Sequence, residues 1–585
     1  MLQLSYRHLL SGLIALSPLV SATLNAVPTA DTSAEQRREW MLRDFETIQN
    51  AMEMQYAPLE WKEAHHGWSL IDEANAAKEA ISSADHPTTA LFQSTLKKFL
   101  GSPSDLHVQF CFCSTAMAGL PFAAAKVENA VRVTWVDPDS PLYGQIAIGD
   151  EWIDFDGRPL SDHLTDYFKS NGVSSPSDTH YALATLALTR RYGASGDEIP
   201  FPGAIALLSF KTASGEMRSF WIPWNVIEEE ITPLFRSLSG ERQNEGYTLV
   251  DLYAGVPSES RLRGGDGRLT AEIHTQVTGR KVGFLPALGP VLSRPVESET
   301  FDNYLFQGPG GRRIGYVRIP DYTGGPEEVE EFARIIRYMQ WHSDALVIDQ
   351  LNNLGGYLPY MYAIASHLTS QPLHAPLHRL TITPSDALEA HWSAEDLRGI
   401  YEFLPNLSEQ HVVSLLDKFF LGYLDEPQHL LGRYISYYET IRDLWKKGVT
   451  LSHPIGLMGI DAIQPSPRGV YTKPIVMLVN ELCVSAGDFL PAILQDEKRV
   501  FLYGNRTSGA GGIFRSFAYP NQLGVRWVGL TASICTRKNG QPIESLGVTP
   551  DRTQKITLRD LRENYRDYLE GIHQTLNNLL NRELR

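Results

Sequence analysis

Residues 473–496 read KPIVMLVNELCVSAGDFLPAILQD, and their pattern indicates an α/β fold. It begins with a continuous apolar run of strand length that ends at Asn480, and it continues with the apolar spacing of a helix. Ser485 lies between the two, where a helix dipole favours a developing negative charge. The stretch predicts a buried strand, a turn and a helix, with Ser485 either as a nucleophile or as an ordinary helix N-cap.

Two further segments end a strand in a glycine-containing turn. Residues 345–356 read ALVIDQLNNLGG, and the glycine pair lets backbone N–H groups point at a ligand without an obstructing Cβ. Such amides can form an oxyanion hole, although a plain strand-to-helix turn has the same features. Residues 504–512 read GNRTSGAGG, which lacks the Gly-Lys-Ser/Thr ending of a phosphate-binding loop, so nucleotide binding is disfavoured.

The N-terminal half is predicted to contain three regions. A largely apolar run followed by small residues predicts a signal peptide over 1–26. Helical apolar spacing predicts a small helical N-terminal domain over 27–120, which ends in a strand at 106–110 containing His107. Residues 130–160 resemble a PDZ-like module, within a domain over 121–239. The PDZ-like unit is predicted either to present substrate at a free sheet edge or to serve as an interface.

The C-terminal half contains the main domain. The stretch 240–298 has no sustained period and carries a basic patch at 261–268, so it is interpreted as a flexible linker or activation segment. An α/β domain is predicted over 299–585, with a helical excursion at about 387–447. The predicted fold class is therefore α/β multidomain, with a PDZ-like β-rich domain and a small helical N-terminal domain beside the α/β core.

Composition and charge argue against several classes of partner and against a disulfide-stabilised fold. The chain has 585 residues and a formal net charge of −16, which disfavours nucleic acid and anionic membrane surfaces as partners. Its four cysteines are too few and too scattered for a disulfide framework, and we interpret them as buried thiols. Beyond the signal peptide, no apolar run is long enough for a membrane span. We therefore expect an exported protein without a membrane span.

Taken together, the three turns and the PDZ-like unit resemble the C-terminal-processing (tail-specific) serine peptidase family, closest to the chlamydial protease-like activity factor branch. The resemblance implies a crotonase-like α/β catalytic core and protein or peptide substrates. It assigns Ser485 as the nucleophile and the N–H groups of Ala486 and of Gly355 or Gly356 as the oxyanion hole. It implies no metal or organic cofactor, and it suggests a secreted, self-processing virulence factor, with a homodimer as a further hypothesis.

Two positions depart from the family pattern. Leu351 stands where the pattern has arginine, and Ala510 stands where most members have a general-base lysine. A serine hydroxyl needs a base, because its own pKa is far too high to supply alkoxide at neutral pH. The named branch implies a serine-histidine-glutamate arrangement, in which His107 would be the base and Glu544 would orient it.

Two alternatives remain at this point. A non-catalytic relative would use the same fold to bind peptides or lipids, and the absent lysine at position 510 favours it. A crotonase-type acyl-CoA enzyme is disfavoured by the export signal and the PDZ-like module. We expect a secreted serine endopeptidase, located in the periplasm or beyond, with the host cell as one destination.

Overall fold

The computed structural model describes residues 33–201, 203–229, 281–403 and 427–583, so the predicted signal peptide lies outside the described residues. The N-terminal part is helical, as the apolar spacing predicts. Its helices are α1 (Ala34–Gln55), α2 (Leu59–His66), α3 (Leu70–Ser82) and α4 (Thr89–Gly101). The side chains of Ser33, Ser69 and Thr88 accept backbone N–H groups at the N-termini of α1, α3 and α4, which fixes where these three helices begin.

These helices share a hydrophobic core with a distant part of the chain. Phe45 of α1 belongs to the same buried cluster as Val528 of strand β22 (Val525–Thr531). Strand β1 (Gln109–Phe112) pairs antiparallel with β22, and β21 (Phe514–Phe517) pairs with the other edge of β22. The helical region is therefore built onto the C-terminal half of the molecule rather than standing apart from it.

The strand expected at 106–110 begins later than predicted. His107 lies in the turn before β1, because the Asp105 carboxylate accepts the N–H of His107 at 2.9 Å and the Asp105 carbonyl accepts that of Val108 at 3.0 Å. An aspartate that bonds its own downstream backbone in this way favours a turn over a strand. His107 is thus held by a turn rather than by strand pairing.

The PDZ-like domain contains a six-stranded antiparallel sheet flanked by helices α5 (Leu160–Ser170) and α6 (Asp178–Thr189). The strand order is β3-β4-β5-β8-β9, with β6 added to β5. These strands are β3 (Phe122–Val127), β4 (Ala130–Val136), β5 (Glu151–Phe155), β6 (Arg158–Pro159), β8 (Ile205–Lys211) and β9 (Met217–Pro223). A separate small sheet is made by β2 (Met117–Gly119), β7 (Arg190–Tyr192) and β10 (Asn225–Ile227). Helix α6 packs along the edge strand β3, where Lys126 Nζ lies 3.3 Å from the ring centroid of Tyr181.

The α/β domain is organised around a seven-stranded sheet. Its order is β11-β12-β13-β14-β19-β20-β24; the pairs from β13 to β24 are parallel, whereas β11 and β12 are antiparallel additions. The strands are β11 (Val291–Ser293), β12 (Asn303–Gln307), β13 (Arg313–Arg318), β14 (Ala345–Asp349), β19 (Ile475–Val479), β20 (Phe501–Gly504) and β24 (Arg552–Thr553). Every residue of β14 and β19 is buried, as expected for central parallel strands covered on both faces.

Helices cover this sheet, and several short strands surround it. The helices are α7 (Pro326–His342), α8 (Leu358–Ser366), α9 (Pro384–Phe403), α10 (Pro427–Lys446), α11 (Ala486–Asp496), α12 (Leu558–Arg562) and α13 (Arg566–Glu583). The short strands are β15 (Leu373–His374), β16 (Leu377–Leu380), β17 (Ile455–Gly456), β18 (Ala462–Ile463) and β23 (Ser533–Thr536). Helices α9 and α10 pack together and form the described part of the predicted helical excursion. Within the described ranges, no helix is long and apolar enough to cross a membrane.

Candidate active site

Ser485 links the buried strand β19 to helix α11 in a strained turn. Its φ is 58° and its ψ is −118°, a conformation that a residue with a Cβ rarely adopts. The side chain is partly exposed, whereas the residues on either side of it are buried. Strain of this kind persists only where the surroundings hold it, and it concentrates at functional sites. The turn therefore displays one hydroxyl at the start of a helix, as the sequence predicts.

The glycine turn after β14 holds the Ser485 turn in place. The N–H of Val484 donates to the carbonyl of Asn353 at 2.9 Å. Gly355 has a φ of +97°, and a Cβ built there would lie 2.5 Å from the Val484 carbonyl oxygen and 2.8 Å from Ser485 Cβ. The two turns approach so closely that only glycine fits at position 355.

The backbone N–H groups around the Ser485 turn differ in whether they already donate a hydrogen bond. Gly355 donates its N–H to Asn353 Oδ1 at 2.9 Å. Gly356 forms a parallel bridge with Tyr322, whose hydrogen bonds use the Gly355 carbonyl and the Tyr357 N–H, so the amide of Gly356 itself points away from Tyr322. Ala486 is the first residue of α11, and its N–H is among those that a helix leaves without an intrahelical partner.

The glycine-rich loop is anchored on the helix that carries the serine. Asp488 of α11 is fully buried, and its carboxylate accepts from the N–H of Gly509 at 2.9 Å, the N–H of Ala510 at 3.1 Å and the hydroxyl of Ser508 at 2.8 Å. Burial raises the pKa of Asp488 above its ordinary value. Ala510, at the position of the expected lysine, is thus a buried apolar residue beside Val484 and Leu354.

His107 lies next to a residue that packs against the apolar cluster around Ala510. Leu106 packs against the apolar group formed by Leu354, Val484 and Ala510. The His107 imidazole is completely buried, and neither ring nitrogen has a hydrogen-bond partner within the described part of the chain. Leaving buried polar atoms unpaired costs about 1–3 kcal/mol each. Burial lowers the pKa of His107, and the negative charge of Asp105 opposes that shift. A neutral imidazole is the form in which a histidine can accept a proton.

Glu544 is completely buried beside the glycine-rich loop. One carboxylate oxygen accepts the N–H of Gly511 at 3.2 Å, and the other lies 2.7 Å from Lys62 Nζ. The pKa of Glu544 is raised to about 7 by burial and by the charge of Asp105, and it is lowered by Lys62. Burial and the charge of Asp105 therefore favour the protonated form of Glu544, and Lys62 favours the ionised form.

The structure brings the predicted residues into one region without forming the complete triad. Ser485, Ala486, Gly355 and Gly356 meet at the carboxyl ends of β14 and β19. His107 and Glu544 each lie beside Asp105, but Glu544 is paired with Lys62 and the His107 ring is unpaired. Sequence reasoning missed Lys62, Asp105 and the anchoring role of Asp488. Only the position of Asp488 near a helix N-terminus gave a signal, since Lys62 looks like an ordinary surface lysine of a helix.

The PDZ-like domain also contacts the serine turn. The Thr179 hydroxyl at the start of α6 donates to the Glu481 carbonyl at 2.9 Å. The Asn505 side-chain amide donates to Asp178 at 3.1 Å and to Glu481 at 2.9 Å. Glu481 stands four residues before Ser485, so these contacts tie the PDZ-like domain to the segment that carries the serine. They favour the interface interpretation of this domain.

Comparisons with known proteins agree with this architecture. Residues 313–554 match the model of peptidase family S41, and residues 116–231 match that of a PDZ domain. A protein of Chlamydia trachomatis serovar D is 30% identical over 579 residues, covering 93% of both chains. The structure of mature CPAF complexed with lactacystin has a TM-score of 0.77 and 28% identity, covering 93% of this chain and 99% of that one. A carboxyl-terminal-processing protease of a Picosynechococcus species is 29% identical over 23% of this chain and 31% of its own length.

Proposed function

Because this chain belongs to peptidase family S41 and is a serine peptidase, we propose that it is an endopeptidase that cleaves protein substrates with a triad of Ser485, His107 and Glu544. The observation that carries the proposal is the strained Ser485 turn, which displays one hydroxyl at a helix N-terminus against Gly355. The absence of a lysine at position 510 leaves His107 as the base that the family resemblance offers. This assignment also replaces the non-catalytic alternative.

The proposed reaction is acyl transfer to water. Ser485 Oγ attacks the peptide carbonyl while His107 takes its proton, and the N–H groups of Ala486 and Gly356 bind the oxyanion, with Gly355 as the alternative donor. His107 then returns the proton to the leaving amine, which frees the first product. Water attacks the acyl-enzyme with His107 again as base, so the enzyme is restored. Glu544 stabilises the imidazolium that forms in each step.

The unpaired His107 ring supports a second part of the proposal, that the intact chain is a precursor. The triad contacts would form when the 240–298 stretch is cut, or when substrate binds. Its basic patch at 261–268 lies outside the described residues, but the described chain on either side is anchored: Glu229 accepts from Thr115 N–H at 2.6 Å, and β11 pairs with β12. Cleavage between two anchored ends would leave both fragments attached to the folded protein.

A fluorophosphonate probe tests the nucleophile. We expect covalent labelling of Ser485 in the processed wild-type protein and none in Ser485→Ala, because the probe reacts only with an activated serine. Peptide mass spectrometry would locate the label. Labelling of another serine, or an unlabelled protein that nevertheless hydrolyses peptides, would contradict the assignment.

Self-processing is tested by comparing the wild type with Ser485→Ala. We expect the wild type to be cut within 240–298 during purification and Ser485→Ala to stay whole, because only the wild type has the nucleophile. Adding a trace of wild type to intact Ser485→Ala separates cutting between molecules from cutting within one. A wild type that remains whole and fully active would rule out an activation segment.

Export is the remaining part of the proposal. The predicted signal peptide at 1–26 motivates it, and we propose delivery to the periplasm or beyond, with the host cell as one destination and a homodimer as the assembled form. We further propose that the intact chain is a zymogen and that the protein is a virulence factor. Fractionation of the source cells would show where the protein is located. Size-exclusion chromatography of the exported protein would show whether it is a homodimer.

A further inference from the structure

Lys62 is a fully buried cation supplied by the N-terminal helices. It lies on α2, and only 1% of its side chain is exposed. Its Nζ lies 2.7 Å from Glu544 Oε1, 2.7 Å from Ser545 Oγ and 3.5 Å from the Ser104 carbonyl oxygen. An ammonium group has three donors, and these three oxygens match them. Lys62 therefore joins the segment of Glu544 to the turn that precedes His107.

The helices around Lys62 fix this arrangement. Tyr56, between α1 and α2, donates its hydroxyl to Asp105 Oδ2 at 3.0 Å, and Thr531 donates to the same oxygen at 2.7 Å. The N–H of Ala57 donates to the Thr531 carbonyl at 2.9 Å. The segment leading into α2 is thus bonded to β22 and to the aspartate that shapes the His107 turn. Lys62 has little freedom to leave the site.

Among the fully buried charged groups of this region, carboxylates outnumber cations while His107 is neutral. Asp105 and Glu544 supply two carboxylates, and Lys62 supplies one cation. Other titratable groups near Lys62 and Glu544 include the Tyr56 hydroxyl and the Cys535 thiol, whose pKa burial raises, and His66 and His180, whose pKa is lowered by burial and by the charge of Lys62. All four are neutral at pH 7. Arg506 adds a cation nearby, bonded to the Ser545 carbonyl at 3.1 Å. Protonation of His107 during the reaction would bring the summed charge of the four buried groups, Asp105, Glu544, Lys62 and His107, to zero.

We propose that Lys62 is a positioning residue of the peptidase, which holds the Glu544 carboxylate ionised and in place for His107. The proposal rests on the Ser-His-Glu mechanism proposed above. In this proposal, Lys62 does not take over the general-base role of the lysine that is missing at position 510. A cation instead reaches the site from the N-terminal helices, where it acts on the third member of the triad. Since Lys62 does not contact the reacting atoms, it acts by holding Glu544, and its contact with the Ser104 carbonyl joins the Glu544 segment to the turn before His107.

The sign of the pH effect follows from the charges. Activity requires ionised Glu544 and neutral His107, so the rate is expected to rise with pH and to be lost as the pH falls through about 7, the pKa of Glu544. Removing Lys62 removes the cation that lowers this pKa. In the plot of kcat/KM against pH, the midpoint of the acidic limb should then move up by about 1–3 pH units, because one adjacent opposite charge shifts the pKa of a carboxyl group by that amount.

The experiment measures kcat/KM against pH for the processed wild-type protein and three variants. We expect Lys62→Met to shift the acidic limb upward and to lose about tenfold or more in kcat/KM at pH 7. Lys62→Arg, which keeps the charge, should keep the limb near its wild-type position. Lys97→Met is the matched control: Lys97 Nζ lies 2.8 Å from Asp197 with side chains only 11% and 15% exposed, yet the pair is separate from Glu544. The control should leave the limb unchanged.

A double mutant separates positioning from a structural role. In a Glu544→Gln background, Lys62→Met should cause little further loss in kcat/KM, because the lysine no longer has a carboxylate to hold. A full additional loss in that background would overturn the proposal. So would a Lys62→Met enzyme that is as active as wild type, more active, or uniformly weaker at every pH with the limb unmoved.

Folding and the underlying mechanism are checked separately. Circular dichroism and thermal melting show whether each variant is folded. If Lys62→Met does not fold, Lys62→Gln and Lys62→Arg decide: a shifted limb for glutamine alone supports the proposal, and equal limbs overturn it. If Glu544→Gln has wild-type activity, the triad itself is wrong. If Glu544→Gln is impaired but Lys62→Met is not, only the role of Lys62 fails.

Discussion

Replacing Ser485 by alanine is expected to lower kcat for peptide hydrolysis by about four to six orders of magnitude, with KM little changed. The reason is that the hydroxyl forms the covalent intermediate, whereas the binding surface and the backbone amides remain. His107→Ala should lose a comparable amount, because a hydroxyl without a base is a poor nucleophile. Glu544→Gln should lose less. Steady-state kinetics with a quenched fluorescent peptide measure all three.

The losses should not add. Because the three side chains act as one unit, the Ser485→Ala/His107→Ala double mutant should be about as slow as either single mutant. Active-site labelling before the assay guards against traces of wild-type enzyme. A His107→Ala enzyme with near-normal turnover would remove His107 from the mechanism and direct the search for a base to another residue.

Gly355→Ala is expected to lower kcat by about a hundredfold or more, because a nucleophile displaced by about 1 Å can lose that much. The added Cβ would lie 2.5 Å from the Val484 carbonyl oxygen and 2.8 Å from Ser485 Cβ, so the Ser485 turn must move. The φ of +97° adds strain, since residues with a Cβ disfavour this region. Kinetics of the folded variant, together with fluorophosphonate labelling, measure the effect.

Gly215→Ala provides the matched control for Gly355→Ala. Gly215 has a φ of +84°, but a Cβ built there meets nothing within 4 Å. This variant therefore has the same type of backbone strain without the collision, and it should keep wild-type kcat with a small loss of stability. Equal kcat for the two variants would show that the close approach of Gly355 to Ser485 is unimportant for turnover.

Local sequence patterns were sufficient for much of the fold. Strands β14 and β19 were predicted from continuous apolar runs, because a central parallel strand buries both of its faces. Apolar spacing over 72–100, with a break at His86-Pro87, predicted the two helices α3 and α4, since such spacing is a local property. The predicted α/β core, PDZ-like domain and helical N-terminal region are confirmed. The catalytic triad and the domain boundaries stay predictions.

The predicted strand at 106–110 shows a limit of pattern reading. Alternation placed His107 inside the strand, but the Asp105 side chain bonds the backbone of the next residues and delays β1 until Gln109. Likewise, the stretch 240–298 has no period, yet its last part contributes β11, whose pairing partner β12 lies immediately beyond it. Both differences depend on contacts that hydrophobic periodicity does not report. In the first a side chain bonds the backbone, and in the second a strand pairs at the edge of a sheet.

Sequence patterns were enough to predict the strand–turn–helix unit around Ser485 and the glycine turn opposite it, and they showed that position 510 lacks the family lysine. These follow from local chemistry and from motif order. By contrast, the burial of Lys62, with its Nζ 2.7 Å from Oε1 of Glu544, 482 positions away in the chain, became visible only in the three-dimensional structure. Buried ion pairs depend on which distant segments share one low-dielectric region, and here α2 reaches Glu544 because the N-terminal helices share their core with β22.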